Sequence, residues 1–379
     1  MTLFLSLLGI ILGAALLILI GCTYVARRVL FPRPSRLRHV ELSDDHRHLS
    51  LRSDHLTEAS GRYGVWFGEQ KEGHAVVGDV VSRHDQVLVR EVTEILGDVP
   101  AGRSEAVWSG HVFPSPDALG HPWREVLIST ELGPCPAWLF ADDSIGRRTW
   151  AIHIHGRATG RVTALRGVPV AQSLGMISLV VSFRGDGEAP TAPGAACHLG
   201  SSAWEDIECA IDFAVARGAS DIVLFGWSMG AAIALRASER SRHRSSISGL
   251  VLVGPVTSWS DAIGETAAQA GLPRAVGPIV SSLLETRLGA RSAGASHALP
   301  MRELDWTRTH ARVSHDTLVL HSPGDRDVPI SSSRSLARRN PGRVELVEFA
   351  PVPHCMEWNA DPERFDDVVT TWWNARFSA

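Results

Sequence analysis

Cysteine is scarce in this chain. Its five cysteines (Cys22, Cys135, Cys197, Cys209 and Cys355) are scattered and odd in number, with no C-x-x-C pair. That pattern argues against a disulfide framework and against a zinc cluster, and it fits a reducing compartment. An excess of either charge is lacking too: 37 Lys+Arg stand against 41 Asp+Glu, a net charge of −4. No overall field therefore favours nucleic acid or another polyanion as a partner. Internal repeats are missing, and no low-complexity tract occurs beyond one apolar run at the N-terminus. With 379 residues the chain can bury a core without disulfides or a structural metal, as one large domain or two ordinary ones.

The apolar run is the clearest compositional departure. Leu3 to Val25 contains no charged residue, and about 20 apolar residues suffice to span a bilayer as a helix. No basic residue precedes it, whereas Arg27, Arg28, Arg33, Arg36 and Arg38 follow at once. The expectation is a transmembrane anchor over residues 1–26, a single-pass membrane protein with the rest of the chain cytoplasmic. A cleaved signal peptide or a lipoprotein signal at Leu19-Ile20-Gly21-Cys22 is the competing reading, but the basic n-region it requires is missing. Residues 27–124 read as a linker and a β-rich accessory segment. From Phe31 to about Ser60 polar residues, Pro, Arg, Asp and His predict no secondary structure. Between Tyr63 and Val112 come short β-rich runs such as Gly64–Gly68, Ala75–Val81 and Val87–Val92.

From Glu125 onward the pattern is strands alternating with helices, the signature of an α/β fold: a mostly parallel, doubly wound sheet covered on both faces. Glu125–Thr130 and Ala137–Ala141 predict a leading antiparallel pair. Six further runs rich in Val, Ile and Leu, at Trp150–His155, Ile177–Phe183, Asp221–Gly226, Gly249–Gly254, Asp316–His321 and Val344–Phe349, bring the sheet to eight strands. Ala203–Arg217, Met229–Glu239 and Glu363–Ala375 have helical periodicity. Residues 256–315 exceed an ordinary crossover and predict a cap insertion over a pocket. Within it, Val276–Leu284 with Leu288 suits a lid helix over an acyl pocket and equally an ordinary core helix.

Gly226-Trp227-Ser228-Met229-Gly230 falls between an apolar strand and an alanine-rich helix. A sharp strand-to-helix turn needs small residues two before and two after the serine, and it presents the hydroxyl at a helix N-terminus. Ser228 is thus a candidate nucleophile, and the backbone N–H of Met229 a candidate oxyanion donor. A serine hydroxyl needs a base to remove its proton. His354, in Pro351-Val352-Pro353-His354 after the last strand, is the candidate base. In the turn from His321 to Pro329, Asp325 and Asp327 compete for the acid, and the Asp-x-x-Val-Pro run favours Asp325. After the first parallel strand, His153-Ile154-His155-Gly156-Arg157 offers the Arg157 N–H as second oxyanion donor. His153 and His155, two apart on a strand, read as one packed and one loop-ordering residue rather than metal ligands. Cys355 reads as a packed cysteine.

On these residues, together with Ser182-Phe183-Arg184-Gly185-Asp186, Trp358 and Asp361-Pro362, residues 125–379 resemble the α/β-hydrolase superfamily, and within it the prolyl-oligopeptidase-like and ABHD-type serine hydrolases. The resemblance implies a Ser-His-Asp mechanism through an acyl-enzyme, with no cofactor and no metal. It does not extend over residues 27–124. The expected activity is hydrolysis of carboxylic esters, lipid or acyl esters included. The alternatives are a peptidase or amidase of the prolyl-oligopeptidase kind, whose long β-propeller the chain has no room for, and a non-catalytic membrane-tethered binding protein on the same fold.

Overall fold

A computed structural model describes every residue except 1, 33–35, 69–70, 142–147, 192–196, 309–312 and 378–379. Arg33 of the basic flank and part of the insertion at 256–315 lie outside the described residues.

Two sheets organise the chain. The first is a closed barrel of six strands: β1 (Leu37–Leu42), β2 (His48–Arg52), β3 (Tyr63–Phe67), β4 (Gly73–His84), β5 (Val87–Gly97) and β6 (Gly102–Ser109), in the order β1-β2-β5-β4-β3-β6. Its first two strands occupy the stretch for which the polar composition predicted no structure. Their apolar residues Val40, Leu42, Leu49 and Leu51 are buried and alternate with polar residues that face outward. That period of two is all a half-buried strand requires, and it is easily hidden among His, Arg and Asp. Barrel closure removes the exposed edges that would otherwise pair with other chains.

The second sheet has eight strands: β7 (Trp123–Thr130), β8 (Gly133–Phe140), β9 (Thr149–Ile154), β10 (Ile177–Val181), β11 (Asp221–Trp227), β12 (Ile247–Val253), β13 (Asp316–His321) and β14 (Val344–Glu348). Their order is β14-β13-β12-β11-β9-β10-β8-β7. From β9 to β14 all pairings are parallel, and β8 runs antiparallel to both its neighbours. Ile152, Ile154, Leu224, Leu250 and Leu252 face one layer, against Ile207 and Ile211 of the helix Trp204–Val215 and Ile233 of Met229–Arg240. Ala151, Val223, Phe225, Val251 and Val253 face the other, against Phe365, Val369 and Trp372 of Pro362–Phe377. This is the doubly wound arrangement expected from the sequence.

The transmembrane anchor is corrected. The N-terminal helix runs Thr2–Leu30, and among the described residues no helix is long and apolar enough to cross a membrane. Its last turns belong to the protein core: Cys22, Val25, Ala26, Val29 and Leu30 are buried with the sheet-covering helices, packed on Trp259–Gln269, Val276–Leu284 and Arg287–Ala293. Phe4, Leu7, Ile10 and Leu17 on the earlier turns are exposed. The single-pass membrane reading, and the cytoplasmic placement that followed from it, therefore lose their support. Val276–Leu284 is the core-type helix of the two readings, with Val280 and Leu284 buried, whereas Leu288 is exposed.

The barrel docks against the domain of the eight-stranded sheet just beyond β14. Asn359, fully buried, donates from Nδ2 to the carbonyls of Arg62 (2.6 Å) and Gly110 (3.0 Å), and its own carbonyl accepts from Arg62 N (2.9 Å). Inside the barrel Arg90 is buried and forms no ion pair among the described residues. Its guanidinium donates to the carbonyls of Gly78 (2.7 Å), Thr57 (2.7 Å), Ala59 (2.9 Å) and Gly61 (2.9 Å), beside the stacked rings of Tyr63 and Trp108. One side chain thus pins the loop between β2 and β3. Arg90→Leu leaves those buried carbonyls without donors and should cost roughly 3 kcal/mol. A urea transition of the barrel that does not move to lower denaturant in this variant would contradict that role.

Candidate active site

The end of β11 runs straight into the helix Met229–Arg240, and Ser228 forms the corner with φ +55° and ψ −114°. A non-glycine residue at such a φ is strained and persists only where its surroundings over-determine it. Three backbone bonds do so: Ser228 N to Val253 O (2.9 Å), and Ala231 N (3.1 Å) and Val256 N (3.2 Å) to Ser228 O. The flanking glycines are a steric necessity. A Cβ on Gly226 would lie 2.5 Å from Ala231 Cα, and one on Gly230 2.2 Å from Ile154 O. As the first helical residue, Met229 has no carbonyl of its own helix for its N–H.

The sequence-predicted residues come together at this corner. His354 Nε2 lies 2.7 Å from Ser228 Oγ, and His354 Nδ1 lies 2.6 Å from Asp325 Oδ2. With Nδ1–H donating to the carboxylate, Nε2 is left to accept the serine O–H. Asp325 Oδ1 accepts the N–H groups of Asp327 (2.8 Å) and Val328 (2.9 Å). Asp327 is itself exposed and bonded to Gln269, so the geometry joins Asp325, not Asp327, to the histidine. Arg157 follows Gly156, where a Cβ would lie 3.3 Å from Ser228 Cβ, and thus borders the same corner. His155 donates from Nε2 to the buried Asp186 (3.1 Å) and stacks on Phe183, ordering that loop. His153 is packed against Phe225. Cys355 is buried with Sγ 3.4 Å from Val253 O.

Three parts of the site escaped the sequence reading. His321, at the end of β13, brings a second imidazole to Asp325 Oδ2 (3.1 Å) while its Nδ1 meets Ser333 Oγ (2.7 Å). Ser322 Oγ receives the N–H groups of Gly324 (3.0 Å) and Val352 (2.7 Å), tying the acid turn to the histidine loop. Arg166, buried over the Trp227 ring, donates to Cys355 O (2.8 Å) and to Asn359 Oδ1, linking the histidine loop to the residue on which the barrel docks. The H-S-P-G-D spacing hinted at His321; nothing local signalled the other two.

A cleft of about 650 Å³ opens over Ser228 and His354. Its outer wall comes from the barrel, with His55, Leu56, Lys71 and the segment Trp108–His111, and none of the described residues in 256–315 lines it. Among the described residues it is thus the accessory segment, and not the predicted insertion, that stands over this cleft.

Burial works against charge on both Asp325 and His354 and loses in each case. It would raise the Asp325 carboxyl, but the facing His354 and the hydrogen bonds from His321 and His354 hold it well below the usual carboxylate range. It would lower His354, yet the adjoining Asp325 lifts the imidazole well above 6.5. Glu357 behaves oppositely. Its side chain is buried behind the acid turn, Oε1 accepts Ser322 N–H (2.9 Å), Oε2 has no partner among the described residues, and burial pushes it up to about 7.

The strand order and the strand-to-helix serine corner define an α/β-hydrolase fold. Residues 172–292 match the sequence model of the family described as serine aminopeptidase, S33, and residues 38–109 match a domain of unknown function, DUF8805. Among solved structures, the chain is similar to the Pyrococcus furiosus esterase Pf2001 (17% identity, 69% of this chain and 96% of that one, TM-score 0.52). It is likewise similar to a putative hydrolase from Agrobacterium vitis S4 (19% identity, 66% and 99%, TM-score 0.51). No curated protein matches the chain.

Glu357 gives a test of this geometry. With its native value near 7 against 4.5 unfolded, the folded state holds the proton more tightly. Its contribution to stability is therefore lost as pH rises from about 4.5 through about 7. Glu357→Gln keeps the acceptor for Ser322 and cannot ionise, so its Tm relative to wild type should be higher at pH 8 than at pH 5. An equal offset at both pH values would sink the assignment.

Proposed function

We propose that this protein is a serine hydrolase of carboxylic esters, with Ser228 as nucleophile, His354 as general base and acid, and Asp325 as the residue that orients it. The observation that carries this reading is the unbroken hydrogen-bond chain Ser228–His354–Asp325 beneath an open cleft, with the serine held in a strained, presented conformation. In the reaction so read, His354 Nε2 takes the Ser228 proton as Oγ bonds to the acyl carbon. The negative charge moves to the carbonyl oxygen, where the N–H groups of Met229 and Arg157 serve as oxyanion donors. Collapse breaks the bond to the alcohol oxygen, which receives the proton from His354. Water, deprotonated by the same imidazole, then cleaves the acyl-enzyme to free acid and regenerates Ser228.

The description of the matched family as serine aminopeptidases supports a second reading, hydrolysis of peptide or other amide bonds by the same three residues. The short barrel over residues 37–109 offers no propeller of the prolyl-oligopeptidase kind. Turnover of aminoacyl p-nitroanilides against p-nitrophenyl esters separates the two.

Fluorophosphonate should label the wild type and leave Ser228→Ala unlabelled, with ester turnover lost in parallel. A folded wild-type protein that neither labels nor hydrolyses any p-nitrophenyl ester would remove the hydrolase reading in favour of a binding protein.

The pH profile provides an independent check. His354 must be neutral to act as base, so kcat/KM should rise with pH through a limb lying above 6.5, because Asp325 favours the imidazolium. Asp325→Asn removes that charge; it should move the limb down and lower kcat by about 10³–10⁴-fold. A limb unchanged in the variant would mean that another group sets it.

A further inference from the structure

Lys71 is the only lysine in the chain, and it stands on the barrel rim of the cleft over Ser228. It sits in the turn between β3 and β4 at φ +63°, exposed, with Nζ 5.5 Å from the Trp66 ring centroid. Arg326, in the acid turn and also exposed, lines the same cleft. Neither forms an ion pair among the described residues. Two deeper cations border the cleft as well. Arg157 donates to Val29 O, and Arg166 is held by carbonyls, Asn359 and the Trp227 ring; these too lack a carboxylate partner among the described residues.

The acidic lining is mostly engaged. Glu188 is paired with Arg161 (2.8 Å) and Asp186 is hydrogen-bonded by the imidazole of His155 (3.1 Å), which leaves Asp327 as the one lining carboxylate with neither beside it among the described residues. In a chain whose net charge is −4, four unneutralised cations around one concavity are a local reversal of sign. A cleft with low-dielectric walls concentrates such a field on whatever enters it. An α-ammonium substrate would meet repulsion there, whereas an anion would be drawn in.

We infer that the cleft takes esters carrying a fixed negative charge, a carboxylate or phosphate, away from the scissile bond, and that the barrel supplies Lys71, together with Arg326 of the acid turn, to bind that charge. This rests on the ester-hydrolase reading and gives residues 38–109 a role: they form the specificity wall of the neighbouring site.

The test uses the intact chain and four butyrate-sized esters. p-Nitrophenyl butyrate is neutral, p-nitrophenyl hydrogen glutarate carries a carboxylate on the acyl side, and 4-butyryloxybenzoate and 4-butyryloxyphenyl phosphate carry carboxylate or phosphate on the alcohol side. For at least one charged ester, the ratio of its kcat/KM to that of the neutral ester should fall about tenfold or more in Lys71→Glu/Arg326→Glu. Lys71→Arg should retain it, and in wild type it should shrink as NaCl rises towards 0.5 M. Which ester responds identifies the anion and the side of the bond on which it lies. Comparing each ratio between variant and wild type cancels the intrinsic reactivities of the esters. A ratio indifferent to the double variant and to salt for all three charged esters, with the neutral ester still turned over and Ser228 still labelled, overturns this inference alone. Absence of both labelling and turnover in the wild type overturns the ester-hydrolase reading, and this inference falls with it.

Discussion

A serine at φ +55° has to be held there, and most of the structure can be read as what holds it. The corner exists because β11 is threaded between β9 and β12 and because the helix Met229–Arg240 approaches the sheet without side chains in the way at Gly226 and Gly230. Val253, the last residue of β12, and Val256 just beyond it fix the amide and carbonyl of Ser228 itself. Strain of this kind costs on the order of 1–3 kcal/mol. It is offset by the apolar burial on the two faces of the sheet, which is why the corner needs a large core behind it. The same constraint brings Gly156 against Ser228, so that the loop after β9 and the turn after β11 border a single point.

The acid and base follow from that placement. Ser228, Asp325 and His354 all lie just beyond the C-terminal ends of parallel strands, β11, β13 and β14, where a doubly wound sheet opens a crevice. Their alignment is enforced by groups that do not touch the serine. Asp325 Oδ2 is shared by two imidazoles, while its other oxygen is occupied by backbone N–H groups. The carboxylate has little freedom to rotate. Ser322 ties the two loops that carry Asp325 and His354, so a shift of one drags the other.

Much of this was legible in the sequence because it is local or ordered along the chain. Six of the eight strands announced themselves by short runs rich in Val, Ile and Leu, and the order serine, acid, histidine needs no knowledge of distances. What was not legible depends on contacts between remote segments. His55, Lys71 and Trp108–His111 meet Ser228 and His354 only because Asn359 accepts the barrel at Arg62 and Gly110, and no spacing encodes that docking. Strands β1 and β2 were missed because a period of two in six polar-rich residues is indistinguishable from a solvated linker until the partner strands are known. Glu357 looked like one more acidic residue; its burial comes from being wedged between the acid turn and the histidine loop.

The N-terminal run shows the same limit from the other direction. Composition alone does not say which turns of an apolar run pack: Phe4, Leu7, Ile10 and Leu17 are exposed, whereas the turns Cys22–Leu30 satisfy their apolar faces on neighbouring helices. The consequence reaches the site. Val29 O accepts the Arg157 guanidinium at 2.7 Å, and Leu30 O accepts Cys197 N at 3.0 Å. These are carbonyls of the last helical turn, which have no intrahelical donors and which a positive side chain satisfies well. The end of the N-terminal helix thereby fixes the side chain of the residue read as an oxyanion donor, and with Phe31 it lines a cavity of about 290 Å³ that also contains Met229. The apolar helix and the barrel, the two segments for which the fold resemblance had no account, thus both reach the neighbourhood of the site: the barrel lines the cleft over Ser228, and the helix end holds Arg157.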